Sequence, residues 1–457
     1  MVPLSNFIVY IPPVALVGMR LKSVLSFFVG TLISRILGFF REMVFAYALG
    51  STYYADAVVV AIRIPTMLRG ILAEGISQNA FIPVFTRWKD GRLLWALIFI
   101  VLIATTIAVL LGILLSPYIL KIMVPGFVED QEKFSFTLWA TVITFPSLFF
   151  ISAASIEMGV LNSKGKFFLS SISPVFFNLG MIIFLPFAKN YPILGAFSFL
   201  FGCFLQFLFL LFFIGERYQK PDFKHPAISD FLKNWLSLGL NSGFLQLATF
   251  VNTFMASFLP TGSLAYLNYA FRLVQLPQGL VGVSFGTVLS KETSEKEGLS
   301  LKNLKKSLVI ASVLALIFVL IFGLFGEFII RVLFVRGKFT VEDAHNTYMA
   351  VVGYLATVPS FIYSSIFLSH LFATFKRKWA NTGLAISTIV NIIFAPILVK
   401  LLGFVGIALA VSISQSSAIV YWSIKTLNLN RFSALVILAL LLTLTFSLVL
   451  ILFNLPV

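Results

Sequence analysis

The chain has 457 residues, of which 59% are hydrophobic and only 11% charged, with 52 phenylalanines and a mean hydropathy of +1.01. A soluble protein carries roughly a quarter charged residues, so this composition describes a membrane protein with no room for an independent soluble domain. The single cysteine, Cys203, and three scattered histidines exclude a disulfide framework and a Cys/His metal cluster.

Residues 1–18 are apolar but short and carry Pro12-Pro13. They lack the basic start and small-residue cleavage site of a signal peptide, and read as an extension ahead of Met19. Stretches long enough to cross about 30 Å of hydrocarbon then follow at 24–48, 56–84, 93–115, 135–160, 167–187, 193–214, 234–259, 263–289, 305–326, 345–371, 380–399, 402–424 and 433–454. The spacing predicts an all-α polytopic membrane protein of thirteen helices. Six fall in an N-lobe over 19–215, six in a C-lobe over 216–426, and one additional helix lies within 427–457.

With a cytoplasmic N-terminus, the inner joints hold 21 basic residues and the outer joints 7, which fixes that orientation by the positive-inside rule. The net charge of +16 is then mostly a topology signal, and no nucleic-acid partner is expected. The inner basic stretches Lys291–Lys306 and Lys376-Arg377-Lys378 also suit anionic lipid headgroups.

Shifting the chain by about 212 residues places Thr144-Phe-Pro146-Ser147 on Thr357-Val-Pro359-Ser360 and Asn178 on Asn391. The same shift places Arg63-Ile-Pro65-Thr-Met-Leu68-Arg-Gly70 on Gln275-Leu-Pro277-Gln-Gly-Leu280-Val-Gly282. A six-helix repeat makes the two halves parallel, an arrangement that supports alternating access around a site near mid-membrane. Pro65 and Pro277 each remove a backbone hydrogen bond inside a span. With Gly70 and Gly282 beside them, they are candidate hinges.

Five basic residues, Arg35, Arg41, Arg63, Arg69 and Arg272, remain inside spans. Each costs roughly 2.5–3.5 kcal/mol at mid-helix unless it faces water, a carboxylate or an anion. Helical rise puts Arg41, Arg63 and Arg272 about 10–14 Å, and Arg35 and Arg69 about 20 Å, below their outer helix ends. Arginine suits bidentate recognition of phosphate oxygens, so two tiers of it point to a phosphate-bearing ligand. Glu42, Asp56 and Glu74 offer structural pairing, with Glu157 near the inner end of the fourth helix. Three nearby acids for five arginines leave about two positive charges, which a pyrophosphate could neutralise. Arg63 is the weakest member, shallow enough to snorkel. The second half has no deep carboxylate for an ion-coupling site; Asn252 and Asn391 are at most weak sodium ligands. The inside-negative potential, worth about 2.3 kcal/mol per charge per 100 mV, favours outward movement of an anion. No Walker A sequence, paired soluble carboxylates or Ser-His-Asp set is present, so the chain is read as a transporter and not an enzyme.

The motifs Ser34-Arg35-Ile-Leu-Gly38-Phe-Phe-Arg41-Glu42, Ala55-Asp56-Ala57, Arg63-Ile-Pro65-Thr-Met-Leu68-Arg69 and Ala73-Glu74-Gly75-Ile-Ser77-Gln78 closely resemble the start of the MurJ (MviN) lipid II flippases. Arg272-Leu-Val-Gln275-Leu-Pro277-Gln-Gly279 and Arg336-Gly337-Lys338-Phe339-Thr340 extend the resemblance over nearly the whole chain. The resemblance implies membership of the multidrug/oligosaccharidyl-lipid/polysaccharide exporter superfamily, with two six-helix lobes in a V around a cationic cavity. It also implies a monomer in the bacterial cytoplasmic membrane that moves undecaprenyl-pyrophosphoryl-MurNAc-pentapeptide-GlcNAc to the outer leaflet, without a cofactor, for peptidoglycan synthesis. Arg35, Arg41, Arg69 and Arg272 match the family's cavity arginines, and Asp56 matches a functional acid. Gln275 stands where the family commonly has an acid, and thirteen helices stand against the usual fourteen, so the last helix is expected to be absent. A flippase of another polyprenyl-linked oligosaccharide is the alternative. A multidrug exporter, the more distant one, calls for acids in the cavity.

Overall fold

The computed structural model describes residues 21–72, 87–88, 90–215, 218–278 and 297–454. Within them the chain forms α1 (Leu21–Leu49), α2 (Tyr53–Leu72), α3 (Gly91–Met123), α4 (Gln131–Thr144), α5 (Ser147–Ser163), α6 (Phe167–Phe184) and α7 (Leu194–Ile214). There follow α8 (Ala227–Ser257), α9 (Ser263–Pro277), α10 (Glu297–Phe334), α11 (Val341–Tyr354), α12 (Thr357–Ala373), α13 (Arg377–Leu427) and α14 (Arg431–Asn454). No β-strand occurs among the described residues. The extension at 1–18, Glu74 and Gly282 lie outside them.

Every predicted span overlaps one of these helices. Two spans are each built from a broken pair, α4 with α5 and α11 with α12, the latter bent by 47°. Two others share the 51 residues of α13, whose path turns at Gly403 with φ 56° and ψ −136°. Seven described helices are long and apolar enough to cross a membrane, or eight with the bent pair. Length and apolarity alone therefore give fewer spans than thirteen. The helices that fall short include those of greatest interest: α2 carries Asp56, Arg63 and Arg69 in 20 residues, and α9, with Arg272, is described over only 15.

The chain divides into two compact units, one ending at Gln246 and the other beginning at Leu247, inside α8. In the first, Leu93, Leu94, Leu97 and Val101 of α3 pack with Ile156 and Val160 of α5 and with Phe231 and Trp235 of α8. The opposite face of α3 leaves Ile107, Leu110, Leu114 and Ile122 exposed, as lipid-facing helices do, because hydrocarbon solvates leucine as well as a core does. Helices α6 and α7 touch at Gly180 and Gly202: a Cβ on Gly180 would sit 2.7 Å from the Gly202 Cα. Small residues permit this approach in lipid, where packing replaces the hydrophobic effect.

The internal repeat is visible in the broken spans. α4 and α5 have 14 and 17 residues, and α11 and α12 have the same lengths 210 positions later. Left-handed turns follow both, at Gly165 (φ 74°) and Phe375 (φ 59°). Lys166 N donates to Leu161 O at 2.9 Å and Lys376 N to Leu371 O at 2.7 Å.

Candidate functional site

On α1, Arg41 lies about 12 Å and Arg35 about 21 Å from the helix end. Arg41 is buried among groups that fix its fork. Its Nη1 donates to Asn178 Oδ1 of α6 at 3.0 Å, and its Nη2 pairs with Glu42. The guanidinium stands 5.3 Å from the Phe177 ring centroid. Asn178 also donates through Nδ2 to Ser34 O at 3.1 Å, and its amide packs over Gly38, where a Cβ would make ordinary contact at 3.5 Å. One asparagine of α6 thus registers two turns of α1. Arg35 is half-buried.

Asp56 lies in the first turn of α2, where a carboxylate suits the helix dipole. A lysine pairs with it. Lys133 Nζ sits 3.2 Å from Asp56 Oδ2 and 3.9 Å from the centroid of the Phe127 ring. Both partners are buried, Asp56 at 1% and Lys133 at 5% exposure. Lys133 is held at the start of α4, where its backbone N–H donates to the capping Asp130 Oδ1 at 3.0 Å.

Further along α2, Arg63 is only 5% exposed and about 15 Å from the end of its helix. At that burial the side chain does not reach the surface as the expected snorkelling requires. Pro65 is buried and removes the backbone donor that would reach Ala61 O. The freed carbonyl accepts instead from Thr144 Oγ1 at 2.8 Å. Where prolines interrupt α3 and α6, a local serine does this: Ser116 Oγ donates to Ile113 O at 2.8 Å, four residues before Pro117, and Ser173 Oγ to Ser170 O at 3.0 Å, four before Pro174. Of these three prolines, the one in α2 has its freed carbonyl satisfied from another helix, at the break between α4 and α5.

Arg69 is half-buried. Gly70 is buried and faces the Gln246 amide, which a Cβ would strike. Helix α8 closes on the same turns: Trp235 Nε1 donates to Leu72 O at 2.9 Å, and a Cβ on Gly239 would lie 2.8 Å from Ile71 O. Gln246 is 3% exposed and its amide makes no hydrogen bond among the described residues. Glu157 is 5% exposed, its Oε2 has no hydrogen-bond partner, and no described cation pairs with it.

In the second unit, α9 buries most of its surface, while Asn268, Arg272 and Gln275 share a half-buried stripe at helical spacing. Pro277 is buried at the helix end. Asn252 in α8 and Asn391 in α13 are both buried, and Asn391 Oδ1 accepts no hydrogen bond. No group of three or more His, Cys, Asp or Glu that could hold a metal occurs among the described residues.

Lys133, Thr144 as a brace, and Gln246 were not among the residues expected to serve the site. Lys133 was findable: with Thr137, Thr141 and Thr144 it forms one buried stripe along α4.

Seven or eight apolar helices of membrane-spanning length among the described residues define a polytopic membrane protein. An inward-facing MATE family transporter of the MOP superfamily matches with a TM-score of 0.65 at 16% identity, over 93% of this chain and 99% of its own, which speaks for the fold alone. A solved lipid II flippase MurJ, in an inward closed conformation, matches with a TM-score of 0.79 at 26% identity, over 93% of this chain and 97% of that one. The family profile described as "Lipid II flippase MurJ" matches residues 45–455, and the chain belongs to that family. The probable lipid II flippase MurJ of Buchnera aphidicola subsp. Schizaphis graminum is 31% identical over 468 residues, covering 95% of this chain and 90% of its own. That of Bdellovibrio bacteriovorus is 32% identical over 417 residues, covering 85% and 79%. Both relatives are bacterial, and the family is one of transporters, not enzymes.

Proposed function

We propose that this chain is a lipid II flippase of the bacterial cytoplasmic membrane, N-terminus inside, that carries the pyrophosphate-sugar headgroup outward by alternating access. The observation that carries the reading is the pair of arginine tiers on α1 and α2, buried in an apolar unit at separations of about 9 Å along each helix. A pyrophosphate offers each guanidinium two oxygens in the geometry its fork prefers. Arg35, Arg41 and Arg69 are assigned to the headgroup, Arg63 to the same charge field, and Arg272 to the same role in the second unit. The polyprenyl tail stays in the bilayer, so only the polar headgroup needs a path. Pro65, Gly70 and Pro277 are the proposed points of bending, and the membrane potential the proposed bias.

The test is translocation of fluorescent lipid II in vesicles reconstituted with the full chain, with and without an imposed potential. Arg35→Ala, Arg41→Ala and Arg272→Ala should each lower the rate at least about tenfold, the loss of one charge-assisted contact of roughly 1.5–3 kcal/mol. Wild-type rates in all three variants overturn the assignment. Equal transport of an undecaprenyl-pyrophosphate lacking the pentapeptide would replace lipid II with a broader substrate class.

A further inference from the structure

In the second unit, Lys305 of α10 and Arg431 at the start of α14 gather at the ring of Phe432. Lys305, Lys306, Val309 and Ile310 of α10 and Phe432 of α14 line a recess of about 340 Å³. Lys305 Nζ stands 5.0 Å from the Phe432 ring centroid, and the Arg431 guanidinium stands 5.2 Å from the same centroid. No described carboxylate pairs with Lys305, Lys306 or Arg431. Two cations gathered on one ring, with a third beside them, repel one another at this range unless an anion sits among them.

The surroundings specify what kind of anion. Val309, Ile310 and Val313 on α10 and Leu435 and Leu438 on α14 are exposed, so an apolar surface continues from the recess along the two helices. A free phosphate has no use for that surface, whereas an acyl chain does. The start of α14 adds no competing anion site of its own, because Asn430 Oδ1 already accepts from Phe432 N at 2.9 Å and Ser433 N at 3.2 Å. Side-chain cations alone must hold the ligand.

We propose that this recess binds the phosphodiester of an anionic diacyl phospholipid, held by Lys305, Lys306 and Arg431 around Phe432, with an acyl chain lying along Val309 and Ile310. The site is structural to the lipid-protein boundary and independent of the transport reading above. Juxtamembrane lysines and arginines contribute enough to anionic-lipid binding that each removal should weaken it about fivefold. Such a lipid would also clamp the last helix to α10.

The experiment uses the purified full chain in detergent, mixed with equimolar phosphatidylglycerol and phosphatidylcholine of matched acyl chains, and counts retained lipids by native mass spectrometry. Wild type should retain phosphatidylglycerol preferentially, and Lys305→Gln/Lys306→Gln/Arg431→Gln should lose that preference. Lys305→Arg/Lys306→Arg should keep it, as should Lys376→Gln/Arg377→Gln/Lys378→Gln, which removes the same charge elsewhere. A preference that survives the first triple variant overturns the proposal. So does an equal loss in the second triple variant, or displacement of the phospholipid by an equimolar polyprenyl phosphate, which would assign the recess to the family's own class of lipid.

Discussion

Lys133→Met should be among the most damaging single substitutions in the first unit. The ammonium it removes lies 3.2 Å from Asp56 Oδ2, with side-chain exposures of 6% for Lys133 and 2% for Asp56, so Asp56 would be left charged and unhydrated. Breaking a buried pair from one side costs about 3–5 kcal/mol. Asp56→Asn should cost less by about 1–2 kcal/mol, because the stranded ammonium keeps the Phe127 ring at 3.9 Å, a desolvated cation–π contact of that order. Removing both charges together, in Asp56→Asn/Lys133→Met, should recover much of the loss, giving a coupling of at least about 2 kcal/mol. Reversible unfolding of the purified protein in mixed micelles gives all four free energies. Additive losses, or a neutral Lys133→Met, would refute the pairing as an energetic unit. The same variants decide how Asp56 acts in transport: if it serves to hold Lys133 and the start of α4, Lys133→Met must reproduce the Asp56→Asn defect in lipid II translocation.

Four further outcomes follow from single contacts. Asn178→Leu takes away the acceptor of Arg41 Nη1 and the donor to Ser34 O, and should cost about 2–3 kcal/mol in the same unfolding measurement, as two net hydrogen bonds. Thr144→Val keeps the shape but strands Ala61 O; the expected cost of about 1–2 kcal/mol should shrink in a Pro65→Ala background, where α2 can supply its own N–H. Phe375 holds φ 59° while 79% exposed, so Phe375→Gly should raise stability by up to about 1 kcal/mol through relief of left-handed strain. Gly403 sits at φ 56° and ψ −136°, a region essentially restricted to glycine, and Gly403→Ala should lose about 1–3 kcal/mol, read as a lower unfolding midpoint.

The helices were legible because a hydrocarbon core imposes length and apolarity together, and their positions follow from those two constraints. Their ends were not. α10 runs from Glu297 to Phe334 where the apolar window covers 305–326, since nothing in apolarity marks where a helix continues past the bilayer into its polar first turns. The repeat was found at a shift near 212, its Thr-x-Pro-Ser and Asn matches lying at 213, and the broken spans align at 210, three residues from those matches. That slip is close to one helical turn, which restores nearly the same face of each helix, so periodic apolar sequence discriminates poorly between the two registers. The breaks themselves and the left-handed turns at Gly165 and Phe375 are aperiodic, which is why they fix the register.

For the site, sequence located charge well and assigned partners poorly. An arginine in an apolar run stands out by its cost, and four of the five lie on α1 and α2. Lys133 escaped because it follows Glu129, Asp130 and Glu132, a string that reads as a solvated loop until α4 turns one of its members inward. Its inclusion changes the pairing: Asp56 pairs with Lys133 and Glu42 with Arg41, and Glu157 makes no ion pair among the described residues. Among the described residues of the first unit, the fully buried charges are three cations (Arg41, Arg63, Lys133) and three carboxylates (Glu42, Asp56, Glu157), with Arg35, Arg69, Asp90 and Asp222 half-buried. Charges held in an apolar unit carry an electrostatic cost that pairing or a bound counter-ion must offset. Under the proposed function a dianionic headgroup would supply that counter-charge only while bound, strongest when the site is driest and weakest when water enters, which is the dependence a carrier needs in order to take up its load on one side and release it on the other.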